Sequence, residues 1–319
     1  PDARGGAHKL QRKKDKYAEH IELYRRNRDL GSFIVTTDSG CDLPLSFCSS
    51  RGIIPLKMNY AIGDKNYTDT MDPKDLKSFY DGMRSGDTPK TSQVTPYQFT
   101  EFWTPLLEKK QPIIHIALGS GISGTWANAV SAADMLMQDH PDADIRVIDS
   151  TLASVGYGML AILAADLRDC GSSTDECQMQ LEKVKSNINT YYTTGDLTYL
   201  YRSGRVSRTG MVVAHALNIW PILNLDLDGH LIVQAKERGK KKTIERIHRI
   251  ISELCVDPED QTLYICHSDI AEEAEQFGED IKKEFGFRDV FYTYIGTTIG
   301  SNCGPGLMAA FFVGKKRTN

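Results

Sequence analysis

The sequence predicts an α/β protein of two domains, a mainly parallel α/β sheet domain followed by an α+β domain, with a ligand cleft between them. Strand-like and helix-like segments alternate over residues 31–170, which is typical of a parallel sheet covered by helices. A small, polar run at 170–175 interrupts the alternation. Beyond it, the segment Asp226-Leu227-Asp228-Gly229 separates two apolar runs and indicates an antiparallel hairpin. The length of 319 residues also fits two domains.

The first predicted domain covers 31–170, after a tail or connector at 1–30. Asp72-Pro73 and Thr95-Pro96 each place a helix-capping residue before a proline, which predicts two helix starts. Pro55 favours an edge position for its strand. The predicted strands are 33–37, 53–60, 112–118 and 144–149, and the predicted helices are a short one from 44, then 73–83, 96–108, one following 124, and 153–167.

The second predicted domain covers 171–319 and restarts the pattern with a different order of elements. Its predicted strands are 189–194, 221–227, 230–237, 262–266 and 289–294, and its predicted helices are 175–188, a segment near 210–218, 243–255 and 271–285. The hairpin signal makes this half an α+β layer with antiparallel strands. A cleft between two such domains is a common ligand site.

The charge distribution argues against nucleic-acid binding. The chain carries a net charge of −4, whereas residues 1–30 hold nine Lys/Arg and five Asp/Glu, a local balance of +4. Mixed charges of this kind are typical of a solvated, helical tail or connector, because net basic charge alone is weak evidence for a nucleic-acid partner. The chain begins at Pro1 rather than Met, so we expect a trimmed start or a longer parent chain.

Cysteine and hydrophobic patterning favour a cytoplasmic protein. The seven cysteines are scattered, odd in number and free of C-x-x-C pairs, so neither a disulfide framework nor a metal site is predicted. No stretch approaches the ~18 apolar residues of a membrane-spanning helix, and the polar N-terminus predicts no signal peptide. We therefore expect no integral membrane segment and a reduced cytosolic location.

The loop at 119–125 follows a predicted buried strand and precedes a helix-like pattern, which predicts an anion site at a helix start. Gly119, Gly121 and Gly124 match the dinucleotide fingerprint. Ser123 suits a nucleophile elbow, although Thr125 stands where that motif needs glycine. A carboxylate or phosphate held by hydroxyls and N–H groups is a third interpretation, and a simple Ser/Thr-capped turn is a fourth. No Gly-Lys-Ser/Thr follows, so a Walker loop is excluded.

Two enzyme classes remain as alternatives to a binding protein. A dinucleotide-binding oxidoreductase using Gly119, Gly121 and Gly124 needs an acidic residue about 20 positions onward, and Asp149 comes a little late. A serine hydrolase built on Ser123 lacks an identifiable His–Asp pair.

Six motifs in order resemble the DegV family, whose characterised members are the fatty-acid-binding components of bacterial fatty acid kinases. The resemblance spans 33–313. Each motif is weak alone, but their common order makes the resemblance specific. The segments are 35–39, Thr91-Ser92-Gln93, 120–125, 196–207, 221–239 (with Pro221-Ile222-Leu223, Asp228-Gly229 and Lys236-x-Arg238-Gly239) and 300–306.

The resemblance implies a DegV-like two-domain fold with a long-chain fatty acid between the domains and its carboxyl group near the surface. It implies a separate ATP-dependent kinase subunit that phosphorylates this carboxyl, so that the acyl phosphate passes to phospholipid synthesis. It implies no turnover by the binding protein itself, no cofactor and no metal.

The family positions also imply which residues hold the head group: Thr91, Ser123, Gly124, Thr125, Arg205, Arg238 and Asn302. Hydroxyl and backbone donors suit a carboxylate, and two arginines suit an incoming or product phosphate. One position departs from the family, because its His before Thr-Gly-Pro-Gly is Asn302 here. Asn offers a neutral hydrogen bond where His can carry charge, so we expect weaker support of acyl phosphate formation. His267 could substitute, but we expect it to be structural.

Overall fold

The computed structural model describes residues 33–206 and 218–318. The predicted tail at 1–30, the predicted helix near 210–218 except its last residue, and Ser207 lie outside the described residues. No helix in 33–206 or 218–318 is long and apolar enough to cross a membrane, and these residues contain no metal-binding group of three or more His, Cys, Asp or Glu side chains.

The first sheet is parallel and has the strand order β2-β1-β6-β7. Its strands are β1 (Ile34–Asp38), β2 (Ile53–Leu56), β6 (Ile113–Ala117) and β7 (Ile145–Asp149), and the helices of this half are α1 (Leu45–Ser50), α2 (Pro73–Arg84), α3 (Pro96–Leu107), α4 (Thr125–Asp139) and α5 (Val155–Asp169). Chain order reverses between β1 and β6, where α/β sheets bind ligands beyond the strands' carboxyl ends.

A small antiparallel sheet accompanies the first and contains β3 (Asn59–Ile62), β4 (Lys65–Thr68) and β5 (Lys90–Thr91). The single strand predicted at 53–60 is therefore wrong, because the chain leaves the parallel sheet after Leu56 and pairs again in another sheet. Both predicted capped helix starts are confirmed. Asp72 accepts from the backbone N–H of Lys74 at 3.0 Å, and Thr95 forms a reciprocal capping box with Gln98.

The second sheet is mixed, with the order β10-β9-β8-β13-β11-β12. Its strands are β8 (Ile188–Thr193), β9 (Ile219–Leu225), β10 (Leu231–Arg238), β11 (Thr262–His267), β12 (Asp289–Tyr294) and β13 (Met308–Val313), with helices α6 (Thr174–Val184), α7 (Thr198–Arg202), α8 (Lys240–Leu254), α9 (Ala271–Phe285) and α10 (Thr297–Cys303). The β9–β10 hairpin is antiparallel as predicted, whereas β11 and β12 are parallel.

Helix α5 packs between the two sheets and joins their cores. The hydroxyl of Tyr157 donates to Oδ1 of Asp38 in β1 at 2.5 Å. One residue earlier, a Cβ at Gly156 would lie 3.2 Å from the ring of Phe311 in β13. The predicted α/β fold, a mainly parallel sheet domain followed by an α+β domain, is confirmed, while the predicted boundary near 170, between α5 and α6, stays a prediction.

Candidate ligand cavity between the sheets

A cavity of about 240 Å³ lies where the carboxyl ends of the first sheet meet the second sheet. Most of its wall is apolar. Leu118 comes from the end of β6, Leu223 and Leu225 from β9, and Leu231 from β10. Leu223 and Leu225 share one face of their strand, as the two-residue period requires. A wall of this composition suits a hydrocarbon chain, which forms few directed bonds and gains from leaving water.

A polar group of residues also lines the cavity: Thr91, Ser92, Gln93, Ser123, Arg205 and Asn302. Contacts among them show that these residues lie together. The side-chain amide of Asn302 donates to the Thr91 hydroxyl at 3.3 Å. A Cβ at Gly124 would lie 2.6 Å from Oε1 of Gln93, so the 91–93 segment is seated against the glycine loop.

The hydroxyl of Ser123 is partly engaged with the start of α4. Its Oγ donates to Oγ1 of Thr125 at 2.9 Å and accepts from the backbone N–H of Thr125 at 3.2 Å. Thr125 is fully buried, and Gly124 is the capping residue of α4 with no side-chain bond. Ser123 therefore caps a helix and faces the cavity at once, whereas Thr125 supports it from behind.

A second recess of about 390 Å³ adjoins the polar residues, and Thr91, Arg205 and Asn302 line both spaces. Lys90 and Arg202 add two further cationic side chains to this recess. The permanently charged guanidinium groups of this recess attract anionic groups.

Arg238 does not reach either space. It is the last residue of β10, opposite Ile219 of β9, and its side chain is exposed. Thus four of the seven residues implied by the resemblance line the cavity, Gly124 and Thr125 lie directly behind Ser123, and Arg238 lies apart.

Buried carboxyl groups stand behind the cavity wall. The hydroxyl of Ser154, which lines the cavity, donates to Oδ2 of Asp42 at 2.5 Å, and the backbone N–H of Gly296 donates to Oδ1 at 2.8 Å. Burial raises the pKa of Asp42 well above its ordinary value and that of Asp38 to about 6. Asp42 therefore ties the first half of the chain to the second through neutral donors.

The glycine loop is not arranged for a dinucleotide. A Cβ at Gly121 would lie 2.4 Å from the backbone carbon of Gly229, so the β9–β10 turn covers the place where a pyrophosphate would approach. Both carboxylate oxygens of Asp149 are engaged with Ser120, through its backbone N–H at 3.0 Å and its hydroxyl at 2.6 Å. The carboxylate is thus fixed to the loop instead of being available to a ribose.

His267 is nearly buried, and its Nδ1 accepts from the backbone N–H of Ile270 at 3.3 Å. Burial lowers the pKa of His267 to about 4, so the ring is neutral near pH 7. It is not among the residues that line the cavity.

Sequence reasoning missed most of the apolar wall. The predicted helix at 153–167 contributes only Ala153 and Ser154, at its start, to the cavity wall. Tyr192 of β8 and Leu307 before β13 gave no signal, because apolar residues in or beside a buried strand resemble ordinary core residues. Ser92 and Gln93 lay in a recognised motif without being assigned to the site.

A family comparison agrees with this geometry. The sequence model of a protein family described as "Uncharacterised protein, DegV family" matches residues 32–315. The chain belongs to the DegV family. A DegV domain-containing protein of Clostridium perfringens is 35% identical over 283 residues, covering 88% of this chain and 97% of the relative.

Solved structures of DegV proteins share the fold. DegV of Bacillus subtilis, described as a fatty acid binding protein, is 26% identical with a TM-score of 0.78, covering 89% of this chain and all of that one. A DegV family protein from Eubacterium eligens loaded with heptadecanoic acid is 20% identical with a TM-score of 0.77, covering 90% and 100% of the two chains. The second likeness shows the fold alone. The two structures confirm the fold class, and the family rests on the family model and the relative from Clostridium perfringens.

Proposed function

We propose that this DegV protein binds a long-chain fatty acid in the cavity between its two sheets. The observation that carries the proposal is a largely leucine-lined cavity in which hydroxyl and amide groups gather beside one arginine. The acyl chain would contact Leu223, Leu225 and Leu231. The carboxylate would take hydrogen bonds from Ser123 and Thr91, with Arg205 supplying positive charge.

The Thr91 hydroxyl is well placed to donate outward. Because its oxygen accepts from Asn302, its own proton is free for a ligand carboxylate. A carboxylate needs donors. The Thr91 hydroxyl and the Arg205 guanidinium provide them, and the Ser123 hydroxyl provides one by turning its proton from Oγ1 of Thr125 to the ligand. The site needs neither a metal ion nor an organic cofactor to hold such a ligand.

We further propose that a separate ATP-dependent kinase acts on the bound carboxyl, making this chain a carrier subunit without turnover of its own. The recess beside the head group carries Lys90, Arg202 and Arg205, which suits the transferred phosphate. The acyl phosphate would serve phospholipid synthesis in the cytoplasm. Trapping with hydroxylamine measures acyl phosphate formation directly, and failure of any kinase-dependent hydroxamate to form would remove this part of the proposal.

Native mass spectrometry of the purified protein tests the binding proposal. We expect an added mass equal to one fatty acid, which extraction and chain-length analysis then identify. Protein stripped of lipid should regain that mass with oleic acid. A dinucleotide mass, or no uptake of oleic acid, would overturn the proposal.

A further inference from the structure

Arg317 is a buried cation outside the 32–315 segment that the family model matches. Only 3% of its surface is exposed. Its Nη1 donates to the carbonyl oxygens of Asp226 at 2.9 Å, Leu225 at 3.2 Å and Thr151 at 3.3 Å. Its Nη2 donates to Oγ1 of Thr151 at 2.9 Å and to the carbonyl of Lys185 at 3.4 Å. All these acceptors are uncharged.

The acceptors belong to opposite sides of the cavity. Thr151 lies in the loop after β7 of the first sheet, and that loop continues into Ala153 and Ser154 of the cavity wall. Leu225 ends β9 of the second sheet and itself lines the cavity. One guanidinium therefore joins the two walls, and burial without such bonds would be costly for the cation.

The loop that Arg317 contacts is strained. Thr151 has a φ of 51° and Ser154 a φ of 55°, although neither is glycine. Such conformations cost energy and persist only where several contacts impose them. Arg317 contacts Thr151 through both its carbonyl and its hydroxyl, and Asp42 contacts Ser154.

We propose that Arg317 is a positioning residue that latches the 150–154 loop to the β9–β10 hairpin and so keeps the cavity closed around its ligand. The latch acts through Thr151 and Leu225, not by touching the ligand. The identity of the ligand in this inference rests on the proposed function. The contacts that form the latch are present in the ligand-free protein too.

The test compares ligand dissociation from wild type, from Arg317→Met and from Lys316→Met. Lys316 is the matched control, because it is a neighbouring cation with an exposed side chain. Each protein is loaded with cis-parinaric acid and chased with excess oleic acid, well below its melting temperature. We expect about tenfold or faster dissociation from Arg317→Met, since several bonds to a charged group are lost, and no change in Lys316→Met. Equal rates for wild type and a folded Arg317→Met would overturn the latch.

Two further measurements cover the other outcomes. Thr151→Ala removes only one of the hydrogen-bond acceptors of Arg317, so this variant should fold and release its ligand faster than wild type, though by a smaller factor than Arg317→Met. If Arg317→Met fails to fold, an unchanged dissociation rate in Thr151→Ala overturns the proposal. Hydrogen exchange of the ligand-free proteins should show faster exchange at 150–154 and 225–231 in the Arg317 variant. Unchanged exchange refutes the latch alone, whereas wild-type protein that takes up no fatty acid refutes the proposed function alone.

Discussion

The side-chain amide of Asn302 donates to both the Thr91 hydroxyl, at 3.3 Å, and the Thr298 carbonyl, at 2.8 Å. The Asn302 side chain is thus held by its own helix, α10, while it orients a hydroxyl of β5. Asn302 stands where the family motif has a histidine. Its uncharged character decides what we expect of phosphoryl transfer at this site.

Asn302→His should raise the rate of acyl phosphate formation while barely changing fatty acid affinity. Imidazole can take up positive charge beside a phosphate, and Ser123 and Thr91 remain to bind the carboxylate. The rate is measured with one kinase, saturating fatty acid and hydroxylamine trapping. Arg205 is permanently charged and offsets part of the difference. Equal rates in the two proteins would show that the imidazole is dispensable here.

Ser123→Ala should lower fatty acid affinity about ten- to a hundredfold, because a hydrogen bond to a charged group is worth roughly 1.5–3 kcal/mol. The same change removes the acceptor for the Thr125 N–H, so unfolding free energy should fall by about 1 kcal/mol. Titration calorimetry and thermal melts separate the two effects. Ser252→Ala, on the exposed face of α8, is the control. A variant with lowered stability but unchanged affinity would leave Ser123 a cap only.

The stability that Asp38 contributes should be lost as pH rises from about 4 to above 6, because the folded state keeps Asp38 protonated over that interval; the lowered pKa of His267 acts in the opposite direction. The pKa of Asp38 moves from an ordinary 3.8 to about 6, chiefly through burial, so the folded protein binds more protons there than the unfolded chain. Burial raises the pKa of Asp42 and Asp69 in the same direction. In urea unfolding across this range, the slope of unfolding free energy against pH should be more positive for Asp38→Asn than for wild type. An identical slope would contradict the assignment to Asp38.

Gly121→Ala should destabilise the protein by about 1–3 kcal/mol and weaken ligand binding, since the added methyl group meets backbone atoms that cannot give way. A Cβ there lies 2.4 Å from Gly229 and 2.5 Å from the carbonyl oxygen of Asp228. Gly124→Ala is the matched comparison, because its nearest neighbour is the end of the Gln93 side chain. Thermal melts should rank Gly121→Ala below Gly124→Ala; the reverse order would refute the close loop contact.

Deleting residues 1–30 should leave fatty acid affinity unchanged. The family match begins at residue 32, and the first described residue that lines the cavity is Met58. Binding of oleic acid by full-length and shortened protein is the measurement. Loss of binding on truncation would assign the tail a part in the site.

Local signals in the sequence were sufficient for the capped helices and for the loops that line the polar part of the cavity, but not for its apolar walls. The Asp72 and Thr95 caps depend on residues within one turn, so the sequence alone identifies them. β13 was missed, because the apolar run that contains Phe311 has no alternating pattern and does not distinguish a helix from a strand. Arg238 belongs to a recognised motif, yet only the register of β10 shows that it ends at an exposed edge. No local sequence pattern indicates that Arg317 is buried, because its hydrogen-bond acceptors come from three segments that are distant in the chain.

Packing of α5 against both sheets has a consequence for how the molecule melts. One continuous apolar core includes Val35 of β1, Leu223 of β9 and Phe311 of β13. The two halves have separate sheets but share one hydrophobic core. Each sheet covers one face of α5, so neither half alone could bury this helix. A calorimeter should accordingly record one cooperative transition, and recombining halves from divergent relatives should demand matched substitutions on both sides of this helix.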